Sequence, residues 1–147
     1  MRKRGFTFIE ILIVMIIIGV IAAFGIPRLR NSLDKQNVRS AKALLATLVA
    51  MARGASVSRG CPATLNLTAD SAWVTACGVS PPAASVQVGT KKLIGDDLSV
   101  MLSPSVSTLV YDPRGIATAS TAVTVMVVGS TVTDSVIINP VGKVVRQ

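Results

Sequence analysis

The chain has 147 residues, with 15 Lys and Arg against 7 Asp and Glu, no histidine, 50% hydrophobic and only 3% aromatic residues. That length leaves room for one domain beside an anchor, and the lack of histidine excludes Ser-His and Cys-His nucleophile pairs. A core so poor in aromatics must be built from Val, Leu, Ile and Ala, and a small core of that kind benefits from a covalent staple.

The net charge of +8 is unevenly spread. Arg2, Lys3 and Arg4 stand before Gly5 and read as cytoplasmic charges of the positive-inside kind. Without them the chain keeps 12 basic against 7 acidic side chains. Phe6-Thr7-Phe8-Ile9-Glu10 then opens a nearly unbroken apolar run that ends at Ile26. Residues 6–26 are about the length that spans a bilayer as a helix. A secretory signal is the first competitor, but its apolar core is typically about 7–15 residues and ends at a small-residue cleavage site. Ala22-Ala23-Phe24-Gly25 is a poor version of such a site. A plain signal anchor competes better, yet it does not explain Glu10. An unpaired ionised side chain inside a membrane span costs at least about 2.5 kcal/mol, so Glu10 needs a partner.

Pro27 removes a backbone donor and clashes with the carbonyl of Ala23, so a kink or weak point is expected around Gly25-Ile26-Pro27. Beyond it, Val38, Ala41, Leu45, Leu48, Ala52 and Ala55 recur at steps of three and four and mark one helix face. One long helix is therefore expected from near Phe6 to about Val57, its second half laying an apolar stripe on a head. Arg28 and Arg30 suit phospholipid headgroups. Lys35, Arg39, Lys42, Arg53 and Arg59, with Asp34 as the only acid among them, read as a solvated face. A patch for DNA or for an acidic partner is the alternative.

Cys61 and Cys77 are the only cysteines. Carried by the anchor into an oxidising space, they read as a disulfide rather than as free thiols or a metal site. The texture then changes to short Val, Thr, Ile and Leu runs punctuated by Gly, Pro, Asp and Ser. Strands are expected at 63–67, 72–76, 85–91, 98–102, 107–111, 122–128, 133–138 and 144–146, which describes an antiparallel β head. Trp73 is expected in the core. Ser80-Pro81-Pro82 and Ser103-Pro104 mark turns or edges, and Asp112-Pro113-Arg114-Gly115 fits a type I turn. Asp96-Asp97 is half of what a metal site or an acid–base pair needs; after Gly95 it reads as a turn or cap. No metal, cofactor or catalytic activity is expected.

The basic leader, Gly5, Phe6, Glu10 and the apolar run together resemble the class III signal of type IV pilins and type II secretion pseudopilins. Met51-Ala52-Arg53, Ala55–Gly60, Thr64–Leu67, Trp73 and Leu109–Gly115 are similar to the GspH/FimT group of minor pilins and pseudopilins. The resemblance implies an α+β pilin-like fold: a long N-terminal helix, transmembrane in its first half and amphipathic in its second, packed on a small antiparallel β-sheet head. It divides the chain into a leader at 1–5, a membrane and filament-core helix at 6–27, a stem at 28–59 and a periplasmic head at 60–147. It implies cleavage by a prepilin peptidase between Gly5 and Phe6, N-methylation of Phe6, and attraction of Glu10 to the Phe6 amine of a neighbouring subunit. The protein would sit in the inner membrane as a single-pass subunit, contact the assembly platform, and enter a filament with other pilins. A minor pilin that initiates or primes a type IV pilus is the first reading, and a minor pseudopilin of type II secretion is the second. DNA uptake is the third. Gly142-Lys143-Val144-Val145-Arg146 departs in residue type and spacing from the basic tail of the DNA-binding members.

Overall fold

The computed structural model describes residues 7–78, 84–119, 121–139, 141 and 143–146, with the Arg146 side chain outside that set. Helix α1 runs unbroken from Phe8 to Arg59. The chain divides into two compact units, one ending at Leu33 and one beginning at Asp34. In the first unit α1 stands alone. Its apolar side chains are open to the surroundings, Phe8 at 84% exposure and Ile16 at 57%.

In the second unit α1 is amphipathic. Val38, Ala41, Leu45, Leu48, Ala52 and Ala55 are all buried, together with Val49. The stripe expected from the three-and-four spacing is the stripe that packs. Against it lie β1 (Ala63–Leu67), β2 (Ser71–Cys77), β3 (Ser85–Leu93), β4 (Met101–Pro104), β5 (Thr108–Tyr111), β6 (Val123–Val128), β7 (Thr133–Ile138) and β8 (Val144–Arg146). They form two four-stranded antiparallel sheets, ordered β3-β2-β1-β5 and β4-β6-β7-β8. Register is fixed by side-chain alternation, with Leu65 opposite Val74 on one side and Leu109 on the other, and Val125 opposite Val136. Slipping any of these strands by one residue would turn its aliphatic row toward water. The inner rows of both sheets and most of the α1 stripe make the main core, and Ala55, Ala63 and Ala76 form a second, smaller cluster.

Two expectations change. The strand placed at 98–102 gives way to helix α2 (Ile94–Leu98), which ends at Ser99 in the left-handed conformation before β4 begins at Met101. Ile94 is fully buried, and the N–H of Gly95 donates to the carbonyl of Asp70 at 2.9 Å. A buried apolar anchor tied to the β1–β2 turn curls this short segment before it can extend. Pro104 ends β4, an edge strand, where a missing N–H costs no ladder bond.

Trp73 is not a core residue. It points to the outer face of β2, half-buried, with the Lys91 ammonium 4.7 Å from its ring centroid. The aromatic in the core is Tyr111, fully buried. Because Leu45 is 1% exposed at the centre of the stripe, Leu45→Ala should lower unfolding free energy by about 2–5 kcal/mol. Denaturant titration followed through Trp73 fluorescence checks this.

Candidate functional site

The first turn of α1 has its own cap. Thr7 accepts the Glu10 N–H through its carbonyl at 3.1 Å and through Oγ1 at 3.3 Å. Thr7-Phe8-Ile9-Glu10 has the spacing of a capping box, which places Glu10 in the first turn of the helix. Glu10 is exposed, and no cation lies within salt-bridge reach of it among the described residues. Gly5 and Phe6 lie outside the described residues. Among the described residues the apolar side chains from Ile11 to Ile26 are exposed, Ala22 in part. Its most apolar window has a mean hydropathy of 2.9 with none of it buried, long and apolar enough to cross a membrane. Pro27 lies inside α1 and the helix continues through it; the missing N–H still leaves the Ala23 carbonyl without its helical donor.

At the start of the second unit, Asp34 is 9% exposed and takes four hydrogen bonds from the tip of the β6–β7 hairpin. The N–H groups of Ser130, Thr131 and Val132 donate at 3.0, 2.6 and 3.0 Å, and the Thr131 hydroxyl at 2.7 Å. The Thr131 hydroxyl, then the hairpin N–H groups, hold the Asp34 carboxyl below the usual carboxylate range, against the opposing effect of burial. Two turns on, the Lys42 ammonium meets Asp134 of β7 at 2.5 Å, with Lys42 9% exposed. The Lys42 hydrogen bond, with a second from the Ser135 N–H, depresses the Asp134 carboxyl in turn. Gly129 completes the latch. A Cβ there would lie 2.5 Å from Asp34 Oδ1 and 2.9 Å from Val38 Cγ2, so only glycine lets the hairpin come this close.

Sequence reasoning assigned Asp34 and Lys42 to the solvated side of the stem. Their signal was positional: 34, 38 and 42 step by four along the same face as the buried Val38. Charge type overruled spacing, and spacing was right.

At the other end of α1, Cys61 and Cys77 form the expected disulfide, with Cα atoms 6.3 Å apart. It ties the chain just beyond the helix to the end of β2, and Arg59 Nη1 donates to the Cys77 carbonyl at 2.7 Å. The 112–115 turn is self-contained. Asp112 Oδ1 accepts the N–H groups of Arg114 at 3.0 Å and Ile116 at 2.9 Å, and the Gly115 N–H donates to the Asp112 carbonyl at 2.9 Å. Gly115 has φ +78°, and an added Cβ would meet Val57 at 2.9 Å and Arg53 at 3.0 Å. Tyr111 Oη is buried without a hydrogen-bond partner among the described residues, and burial pushes its hydroxyl up to about 12. Asp96 and Asp97 sit in the first turn of α2. Among the described residues no three His, Cys, Asp or Glu side chains converge as a metal site.

Residues 1–26 match the model of the prokaryotic N-terminal methylation motif, and residues 42–142 match that of type II transport protein GspH. The chain belongs to the GspH family. Its membrane-anchoring helix and β head make it a structural subunit of a type IV pilus-like filament. The fold is shared with the type IV minor pilin FimU of Pseudomonas aeruginosa in two crystal forms. In space group P21 the TM-score is 0.61 at 14% identity, covering 77% of this chain and 90% of FimU. In space group P65 it is 0.56 at 15%, covering 74% and 91%.

Two outcomes test the head's fastenings. Gly129→Ala should cost about 1–3 kcal/mol by overpacking the latch, and the double variant Cys61→Ser, Cys77→Ser about 3 kcal/mol, both read by denaturant unfolding. Asp34 and Asp134 are both depressed, so the stability they supply is complete above about pH 4 and fades as pH falls through their lower folded-state values. Asp34→Asn should therefore be less stable than the parent at pH 7, with the gap between their melting temperatures narrowing on acidification.

Proposed function

We propose that this GspH-family protein is a minor pilin that initiates or primes a type IV pilus, anchored in the inner membrane by α1 with its head in the periplasm. A single observation carries the reading. An apolar, exposed helix bears one carboxylate near its start, Glu10, with no cation in salt-bridge reach among the described residues. Lipid satisfies the apolar side chains before assembly, and the helices of other subunits satisfy them afterwards. Neither satisfies the charge. Cleavage by prepilin peptidase between Gly5 and Phe6 would create an amine four residues from Glu10, which is then N-methylated. Pairing Glu10 with the Phe6 amine of a neighbour neutralises both groups in one staggered register. Breaking such a buried pair from one side costs about 3–5 kcal/mol, enough to reject a slipped helix. Pro27, where α1 lacks one of its own hydrogen bonds, is the place for the helix to bend as it leaves the membrane for the filament. The work is assembly, and it needs no catalytic group.

A second reading, a minor pseudopilin of a type II secretion system, is favoured by the name of the matched family itself. The minor-pilin reading is favoured by the shared fold with FimU. Deletion in the native host separates them: loss of surface pili with secretion intact supports the first, and retained cargo in the periplasm with intact pili supports the second. DNA uptake receives no comparable support, and three of the head unit's cations are engaged within it. Lys42 is paired with Asp134, Lys91 lies over Trp73, and Arg59 is bound to a carbonyl.

Intact mass of the protein from its host should show loss of Met1–Gly5 and gain of one methyl group; a chain cut near Ala23 would end this reading. Glu10→Ala removes a charge that the bilayer penalises by at least about 2.5 kcal/mol. The variant should therefore accumulate normally in the membrane, yet lose filament assembly and helix-to-helix crosslinks. Glu10→Asp should be milder, limited by reach.

A further inference from the structure

The geometry points to a docking cleft for an acidic segment of a neighbouring subunit, a Glu or Asp flanked by aliphatic residues, between α1 and the start of β8. This rests on the filament-subunit reading above. The cleft has a volume of about 230 Å³ and is lined by Ala46, Val49, Ala50 and Arg53 of α1 and by Lys143 and Val144. Its floor is aliphatic and its two walls each carry one cation.

Structure sets the side-chain course of the arginine and the backbone position of the lysine. The stem of Arg53 runs against Gly115, where a Cβ would lie 3.0 Å from Arg53 Cγ and 3.2 Å from Nε, so the glycine of the 112–115 turn is what leaves the arginine its course. The backbone of Lys143 is held by the β7–β8 turn, and its side chain is exposed. Its N–H donates to Asn139 Oδ1 at 2.7 Å, and its carbonyl accepts the Asn139 N–H at 3.0 Å. Neither cation has a carboxylate within salt-bridge reach among the described residues. The head's other paired cations show the contrast, since Lys42 has Asp134 and Arg114 has Asp112. Below the rim lies the partnerless Tyr111 hydroxyl, close enough for Arg53 to act on it electrostatically.

Two cations beside aliphatic side chains match a carboxylate on an aliphatic stem, where apolar contact adds area and the charges add orientation. A nucleic-acid backbone is a poorer match. It needs a track of cations spaced along its phosphates, and this cleft offers two.

The test uses the full chain in its native host with a photo-crosslinking p-benzoylphenylalanine at Ala50, an exposed cleft residue. A second copy of the experiment places the crosslinker at Ile16, in the apolar half of α1. The expected result is a crosslink from position 50 to one protein, mapped by mass spectrometry beside an Asp or Glu. Arg53→Glu and Lys143→Glu should each reduce it about tenfold, and reversing the mapped carboxylate to Lys should restore it in Arg53→Glu. Lys143→Glu lies on a surface turn and keeps the test sharp if Arg53→Glu disturbs the Gly115 packing. A crosslink that survives both reversals, that maps to lipid or nucleic acid, or that maps to no acidic residue overturns the cleft. Loss of the Ile16 crosslinks would instead overturn the filament reading. Intact Ile16 crosslinks with none from position 50 would sink the cleft alone.

Discussion

From Phe8 to Arg59 the backbone of α1 satisfies its hydrogen bonds within the helix except at Pro27, so the change of surroundings along it falls to side chains. From Ile11 to Ile26 the helix is apolar on every side and exposed among the described residues, and Arg28 and Arg30 follow it. After Asp34 it is apolar on one stripe, and that stripe is buried. A helix apolar all round is stable only inside a bilayer or a bundle, whereas a striped helix is at home on a sheet. The same element therefore belongs to two environments, and the residue at the boundary decides where one ends. Asp34 takes that place. A carboxylate with four donors cannot be drawn into lipid without giving up every one of them, so the latch marks the point at which the helix belongs to the head.

The head is small, and its interior shows how a chain with so few aromatics compensates. Valine and leucine on two sheets and one helix face interdigitate around a single buried Tyr111. Small aliphatic side chains bury little area each, about 25 cal/mol per Å², so the fold adds specific fastenings at both ends of the packed helix. At one end are Asp34 and the Lys42–Asp134 pair, both aimed at the β6–β7 hairpin. At the other is the Cys61–Cys77 bridge. The hairpin is the later of the two in sequence, about ninety-six residues from its partner on the helix. Contacts this distant form late and are easily lost, and here a polar latch rather than more apolar area holds them.

How much was legible in advance depends on which signal each feature uses. The stripe from Val38 to Ala55 was legible because period alone determines it. The cysteine pair was legible because two cysteines in a chain without histidine leave few alternatives to pairing with each other. Most strands were placed within two residues, since β-branched runs and turn residues bracket them. Asp34 and Lys42 were assigned to solvent because a charge is usually solvated, and nothing local reveals a hairpin waiting ninety residues away. Trp73 was assigned to the core because large aromatics usually are. Alternation decides otherwise: Ala72, Val74 and Ala76 take the inner row of β2, so residue 73 faces out. The segment at 98–102 failed for a similar reason, as the buried Ile94 and its tie to Asp70 lie outside the window in which a strand looks plausible.

The Asp112-Pro113-Arg114-Gly115 stretch shows where a motif's meaning resides. Within the turn every residue has a local duty: Asp112 accepts two N–H groups, Pro113 fits the second turn position, and Gly115 takes the left-handed conformation. A sequence reader finds a turn and stops. Any glycine-bearing turn would close the chain, but only one set against α1 requires that the glycine also clear Val57 and Arg53. The double constraint on Gly115, conformation and clearance, couples a surface turn to the position of a helix cation. Residues that look like punctuation in the sequence thus set the electrostatics of a cleft whose other wall comes from the far end of the chain.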